Sequence, residues 1–280
     1  MTETPIQVTA HDEHTVILRQ CKSVHYEAPF LYLLFGEERA LLLDTGATED
    51  PALFPLRATV DGLIDAWLET HPRADYGLVV AHTHGHCDHV AADEQFRDRP
   101  GTVVVGRELD AVTEFFGFGA DWPEGSVTFD LGGRVLTVLG SPGHHRASIT
   151  IFDPWTGFLL TGDTVLPGRL YVDDTDAFLA TMQRLVEFAA REPVTSVRGC
   201  HVEMSRRPGK DYPLGAVSQP DERPLPMAPD RLVAVRDAML AIGPRRGVFR
   251  YDDFIVYNRP PTRDMLRLLV RARVHKLISR

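Results

Sequence analysis

Four of the chain's twelve histidines fall within one run of eight residues, His82-Thr83-His84-Gly85-His86-Cys87-Asp88-His89, with an aspartate among them. Imidazole and carboxylate together suit a borderline metal such as zinc. Solvated histidine tracts lie in polar, low-complexity surroundings. This run instead follows the apolar stretch 78–81, which predicts a tight metal-binding loop at the end of a buried strand.

Three later segments share one pattern. Residues 135–139 lead into Gly140-Ser141-Pro142-Gly143-His144, residues 158–161 into Gly162-Asp163, and residues 195–197 into Gly199-Cys200-His201. Each is a strand signal, then a glycine, then a potential ligand. Glycine lets the backbone turn sharply where a side chain must project. The repetition predicts ligands collected along one edge of a sheet.

His84-x-His86-x-Asp88-His89, followed by His144, Asp163 and His201, resembles the metallo-β-lactamase superfamily of metallohydrolases. Asp44, ending the run Leu41-Leu42-Leu43 ahead of Thr45-Gly46, matches that family's first motif. The resemblance covers residues 14–205. It implies an α/β fold, a four-layered αββα sandwich with a helical C-terminal extension. It assigns one metal to His84, His86 and His144, a second to Asp88, His89 and His201, and a bridging place to Asp163. Two divalent ions, zinc first with iron or manganese as alternatives, leave a net positive site that activates water. A metal-bridging hydroxide is then the nucleophile. Asp88 is the catalytic residue that orients it and takes its proton, and Asp44 holds a ligand or its loop in place.

Asp163 also narrows the reaction. True β-lactamases of the superfamily carry Cys or Ser there. A bridging Asp is the pattern of its thioesterases, such as hydroxyacylglutathione hydrolase, of its lactonases and of its phosphodiesterases. Residues 160–164 and Cys200-His201-Val202-Glu203 look most like the thioesterase branch. The expected function is a dinuclear hydrolase of a small ester, thioester or lactone. One alternative is an oxidoreductase resembling the superfamily's iron-dependent persulfide dioxygenases, with a single iron at His84, His86 and His144 or Asp163. Its weakness is the complete second ligand set. Another is a metallo-phosphodiesterase or nuclease, against which the acidic body weighs. A zinc-stabilised binding protein fits least, since structural sites are closed mononuclear ones.

Substrate-pocket candidates come from the neighbouring residues. His25 and Tyr26 precede a core strand, His145 follows a ligand, and Tyr171 is the nearest tyrosine after Asp163. The segment 115–122, with three phenylalanines and Trp122 among glycines, reads either as an aromatic flap that includes Phe116 and Trp122 or as a helix end tucked into the core. His82 is read as a strand-end residue rather than a ligand. The cysteines Cys21, Cys87 and Cys200 are odd in number and lack C-x-x-C spacing, so no disulfide is expected. Cys87 and Cys200 are read as small buried side chains.

The elements that must position these groups alternate. Strands are predicted over 15–20, 30–35, 40–44, 78–81, 102–105, 127–129, 134–139, 148–152 and 158–161, with helices over 60–69, 90–97, 108–116 and 175–191. Domain boundaries are placed at 1–205 for the catalytic domain and 206–229 for a connector. The connector holds Pro208, Pro213, Pro220, Pro224 and Pro226. Residues 230–280 form a basic helical extension with helices over 231–242 and 264–278. Residues 228–280 carry twelve Lys and Arg against five Asp and Glu, while the whole chain is −9. No aromatics interleave with the arginines as single-strand nucleic-acid binding requires. The apolar side chains Leu266, Leu269, Val270, Val274 and Leu277 predict that the extension packs on the core or on a partner subunit in a homo-oligomer. A small-molecule substrate is expected and a membrane is not, since no run approaches the ~20 apolar residues of a spanning helix. The polar segment 1–14 lacks the apolar core of a secretory signal, so a reducing cytoplasm is the expected compartment.

Overall fold

Strands that are apolar on both faces belong in the middle of a sheet covered on both sides, and the first half of the chain has three in a row. The computed structural model describes residues 4–278. Residues 1–3 of the polar N-terminal segment and 279–280 of the basic tail lie outside the described residues. The chain divides into two units, Met1–Val138 and Leu139–Arg280.

In the first unit six strands form a sheet in sequence order: β1 (Ile6–Asp12), β2 (Thr15–Gln20), β3 (Phe30–Phe35), β4 (Arg39–Leu43), β5 (Gly77–Ala81) and β6 (Thr102–Val104). The pairing is antiparallel from β1 to β4 and parallel from β4 to β6. Helix α1 (Leu56–Thr70) makes the crossover that parallel strands need. It buries Leu56, Val60, Ile64 and Trp67 in one cluster with Leu18, Leu33, Leu42 and Val80. Each such aliphatic side chain stabilises the unit by roughly 1.5–3 kcal/mol. Because β4 and β5 run parallel, residues 44–46 and 82–89 leave the sheet at the same edge. After the short turn α2 (Cys87–Val90) come α3 (Leu109–Phe116) and β7 (Ser126–Asp130).

The division between units falls within β8 (Val135–Gly140). The second unit continues with β9 (Ile149–Asp153), β10 (Phe158–Gly162), β11 (Arg169–Val172), α4 (Thr175–Arg191), β12 (Ser196–Gly199), α5 (Asp230–Ile242), β13 (Gly247–Arg250), β14 (Ile255–Asn258) and α6 (Thr262–Ile278). β10 pairs antiparallel with β9 and parallel with β12. A second sheet sets β14 between β11, parallel, and β13, antiparallel. The Asp174 carboxylate caps α4 by accepting from the N–H groups of Asp176 and Ala177 at 3.1 and 3.0 Å, worth about 1 kcal/mol. α4 then buries Phe178, Met182 and Leu185 with Leu232, Val235 and Met239 of α5 and with Leu159 and Val197 of the sheet. Mixed sheets with helices and two further C-terminal helices make the chain α/β, as expected.

Several expectations need correction. The helix predicted over 90–97 is only the turn α2 and a 3-10 turn at Asp93–Gln95. Asp93 there is drawn to His82 Nε2 at 2.8 Å and accepts from Thr45 Oγ1 at 2.7 Å. Strands β1, β11, β13 and β14 were not foreseen. β1 buries only Ile6 and so shows no apolar alternation, and the other three have four residues each. The connector 206–229 is pinned within its unit by the bridges Met204↔Asp211, Ser205↔Glu222 and Val197↔Met227.

The apolar side chains expected to pack the tail helix are not packed on the body of the chain. Leu266, Leu269, Val270, Val274 and Leu277 are all exposed, and Leu268 is the buried side chain of α6. Of its arginines Arg271 turns inward, because Asp211, whose side chain is only 2% exposed, accepts from it at 2.7 Å.

Candidate metal centre

In the first unit β5 ends at Ala81 and the chain turns through the histidine run. His84 Nε2 lies 2.9 Å from His86 Nδ1. The ring centroids of His84 and His89 are 4.0 Å apart, and His89 Nε2 is 3.5 Å from Asp88 Oδ2. The far side of each ring is held by Asp44 and Thr83. Asp44 follows β4, is fully buried and has φ of +69°, a left-handed conformation that Asp tolerates better than most side chains. Its Oδ2 accepts from His89 Nδ1 at 2.9 Å and from Thr83 Oγ1 at 2.9 Å, and its Oδ1 accepts from the Thr83 N–H at 2.7 Å. With its own proton given to Asp44, Thr83 Oγ1 accepts from His84 Nδ1 at 3.2 Å. Both imidazoles are therefore tied through Nδ1 and turn Nε2 away from those partners, the arrangement that second partners impose on metal-binding histidines.

The second unit builds a matching set. His144, Asp163 and His201 each follow a strand end, after β8, β10 and β12. His144 Nδ1 donates to the Tyr171 carbonyl at 2.8 Å, which turns Nε2 toward Asp163 Oδ2 at 3.8 Å. His201 Nε2 faces the other oxygen, Oδ1, at 3.5 Å. One carboxylate thus offers its two oxygens to two different imidazoles. These separations exceed hydrogen-bond length. They approach the ~3.3 Å between ligands that each sit about 2 Å from a common tetrahedral ion. Two glycines make the turns. Gly143 has φ of +133°, and a Cβ there would lie 2.4 Å from Phe178 Cα. At Gly199 a Cβ would lie 2.5 Å from Leu166 Cβ. Imidazoles and carboxylates, pre-oriented and largely buried, fit a divalent metal in both units.

The remaining candidates fall in different places. His82 pairs with Asp93, in keeping with a role other than ligation. His25 and Tyr26 are half-buried neighbours with ring centroids 4.8 Å apart. Burial pushes the Tyr26 hydroxyl well above its ordinary range, with a hydrogen bond to Glu27 and the nearby charge of Asp88 adding to the shift. Tyr26 therefore stands close to the Asp88 loop. His145 is half-buried and its Nδ1 accepts from the Ala147 N–H at 3.2 Å. Phe116 is 7% exposed, packed edge-on against Phe115 and Phe129, while half-buried Trp122 meets Phe118 edge-on at 5.0 Å. These contacts are those of an aromatic cluster. Cys87 is exposed at the start of α2 rather than buried as expected, while Cys200 and Cys21 are buried, and none of the three is in a disulfide.

The sequence reading passed over Thr83 and an ion network around Arg169. Thr83 was legible as the residue between two ligands. Arg169, 3% exposed, is held by Glu203, Asp211 and the Tyr212 carbonyl. Burial alone would raise the Asp211 carboxyl, but Arg169, Arg271 and Arg250 hold it at about 2.

An α/β protein with metal-ready histidines and aspartates at its strand ends defines a broad class, and comparison with known proteins narrows it. The family model described as "Metallo-beta-lactamase superfamily" matches residues 28–201, and the chain belongs to that superfamily. A hydroxyacylglutathione hydrolase of Anaeromyxobacter dehalogenans is 32% identical over 49% of this chain and 46% of its own length. The acyl-coenzyme A thioesterase MBLAC2 of Gallus gallus is 27% identical over 62% of this chain and 72% of its own. The chain spans about half the length of the first of these curated relatives. Among solved structures, the metallo-β-lactamase FIM-1 from Pseudomonas aeruginosa shares the fold at a TM-score of 0.56 and 12% identity, covering 86% of this chain and 97% of that one. A metallo-β-lactamase from Erythrobacter litoralis does so at 0.55 and 16%, covering 86% and 99%. No helix among the described residues is long and apolar enough to cross a membrane.

Proposed function

We propose that the chain is a metal-dependent hydrolase of small thioesters, with esters and lactones as further substrates. His84, His86 and His144 would hold one divalent ion, most simply zinc. Asp88, His89 and His201 would hold a second, and Asp163 would serve both. The observation that carries this reading is the Asp163 carboxylate, whose two oxygens face two separate imidazoles, as a shared ligand requires. Support for the thioester comes from the curated relatives, one named a hydroxyacylglutathione hydrolase and the other an acyl-coenzyme A thioesterase.

When bound, the ions supply Lewis acidity and bring water to ionisation near neutral pH. The chain's own residues do the rest. Asp44 and the Tyr171 carbonyl fix the imidazole tautomers so that Nε2 is the donor atom. Asp88 sits beside His89, orients the attacking water and accepts its proton. Tyr26, raised far above neutrality, stays protonated, its hydroxyl held by Glu27 near Asp88.

The test is a panel of thioesters, esters, lactones and phosphodiesters against zinc-loaded protein, with metal counted per chain. Two zinc ions and thioester turnover that disappears in His84→Ala and Asp163→Ala support the reading. Turnover unchanged in both variants overturns it. One tightly bound iron with dioxygen consumption, or cleavage confined to phosphodiesters, replaces it with another reaction.

A further inference from the structure

Residues of β13, β14 and α6 line a cleft of about 540 Å³ within the second unit, in the size range of small-ligand sites. Five arginines line it: Arg246, Arg250, Arg263, Arg267 and Arg271. Arg263, Arg267 and Arg271 recur every four residues on α6 and so share one helix face. Two carboxylates oppose them. Asp264 lies 3.2 Å from Arg267 and 4.0 Å from Arg263. Asp211 accepts from Arg250 at 3.0 Å and from Arg271 at 2.7 Å, but it also serves the buried Arg169. Counting Asp211 wholly for the cleft still leaves an excess of three positive charges, in a chain whose net charge is −9.

Packing does not account for this surplus. Arg263 and Arg267 have side chains 79% and 80% exposed, and ion pairs so exposed contribute little. Guanidinium groups crowded into one cleft repel each other unless an anion sits among them. Their planar donor forks match phosphate oxygens in pairs. A single carboxylate would leave most of the charge unanswered, whereas a diphosphate carries about three negative charges near neutral pH. Beside the arginines lie Val248, Phe249, Tyr257 and Leu268, an apolar surface for the organic part of a ligand.

We propose that this cleft binds a small phosphate-rich molecule, a diphosphate or bisphosphate ester of nucleotide size. The site stands apart from the hydrolase reading, since none of its residues belongs to the metal-binding sets. The chemistry is shared by free pyrophosphate and by a nucleotide, and an apolar contribution separates them: a nucleotide gains from Phe249 and Tyr257, and pyrophosphate does not.

The experiment is calorimetric titration at low salt with adenosine 5′-diphosphate, pyrophosphate, inorganic phosphate, adenosine and a single-stranded RNA 20-mer. Adenosine diphosphate and pyrophosphate are expected to bind at least about tenfold more tightly than inorganic phosphate. Adenosine should not bind. The double variant Arg263→Glu with Arg267→Glu, at two exposed positions, should lose about tenfold or more in affinity while its melting temperature without ligand stays put. His84→Ala should bind adenosine diphosphate as the parent does, which separates this site from metal chelation and from the fate of the hydrolase reading. Equal affinity in the double variant, or no binding below about 5 mM, overturns the proposal. RNA that binds far more tightly than the nucleotide also overturns it and makes the cleft a nucleic-acid surface.

Discussion

Asp44→Asn is the most incisive perturbation of the metal-binding apparatus, because it changes charge and proton direction with little change in shape. Asn tolerates φ of +69° at least as well as Asp, so the backbone pays nothing further. Its carbonyl oxygen keeps the Thr83 N–H, bonded at 2.7 Å in the parent. Its amide then points donors at His89 Nδ1 and Thr83 Oγ1, where Oδ2 accepts at 2.9 Å from each. His89 can answer only by moving its proton to Nε2, the atom reserved for the metal. Asp44 and His89 side chains are both 0% exposed, so no water relieves the conflict. One hydrogen bond to a charged group is worth about 1.5–3 kcal/mol, which corresponds to about 10- to 100-fold in metal affinity, the range seen when such outer partners are lost. Chelator-competition titration of zinc measures the affinity, and the melting temperature of metal-free protein measures folding. Asp44→Ala should cost more in folding, since it also empties the acceptor of the Thr83 N–H and adds about 1 kcal/mol of backbone strain. If Asp44→Asn holds zinc as tightly as the parent, the Nδ1 tie does not set the ligand atom and the reasoning fails.

Gly143→Ala should destabilise by about 3 kcal/mol or more, because its Cβ would strike Phe178 backbone 2.4 Å away. Urea unfolding checks this, and a cost below 1 kcal/mol would show that the turn before His144 yields. Asp211 ionises near 2 in the folded chain and near 3.8 when unperturbed. Its stabilisation is therefore complete above about pH 4 and is lost as pH falls toward 2, by at most about 2 kcal/mol. In Asp211→Asn that part of the acid dependence should vanish while stability at neutral pH drops. Equal acid slopes in the two proteins would exclude it. Phe116→Ala should cost about 3–5 kcal/mol of stability and leave KM of the surviving folded enzyme unchanged. A raised KM with unchanged stability would make the segment a substrate flap instead.

The ligand-bearing turns were legible because rare residue types sit in short local runs. A glycine followed by His or Asp after an apolar stretch marks a strand end wherever it occurs, and strands β2 and β3 and helix α4 start and stop at the predicted residues. Short or edge strands were not legible, since β1 buries one side chain and β11, β13 and β14 are too brief for periodicity to register. Residues 93–95 carry a helical pattern, yet Asp93 is claimed by His82, eleven residues away, and the helix breaks.

By itself, the sequence determined which donor atoms are available, in what order, and on turns sharp enough to project them. Tertiary structure alone decided which nitrogen of His84, His89 and His144 is offered, through Thr83, Asp44 and the Tyr171 carbonyl, and that Arg271 of α6 turns inward to Asp211. Arg169 meets Asp211 across 42 residues and Arg271 meets it across 60. A buried charge selects its partner by proximity in space, and proximity across such separations leaves no periodic trace along the chain.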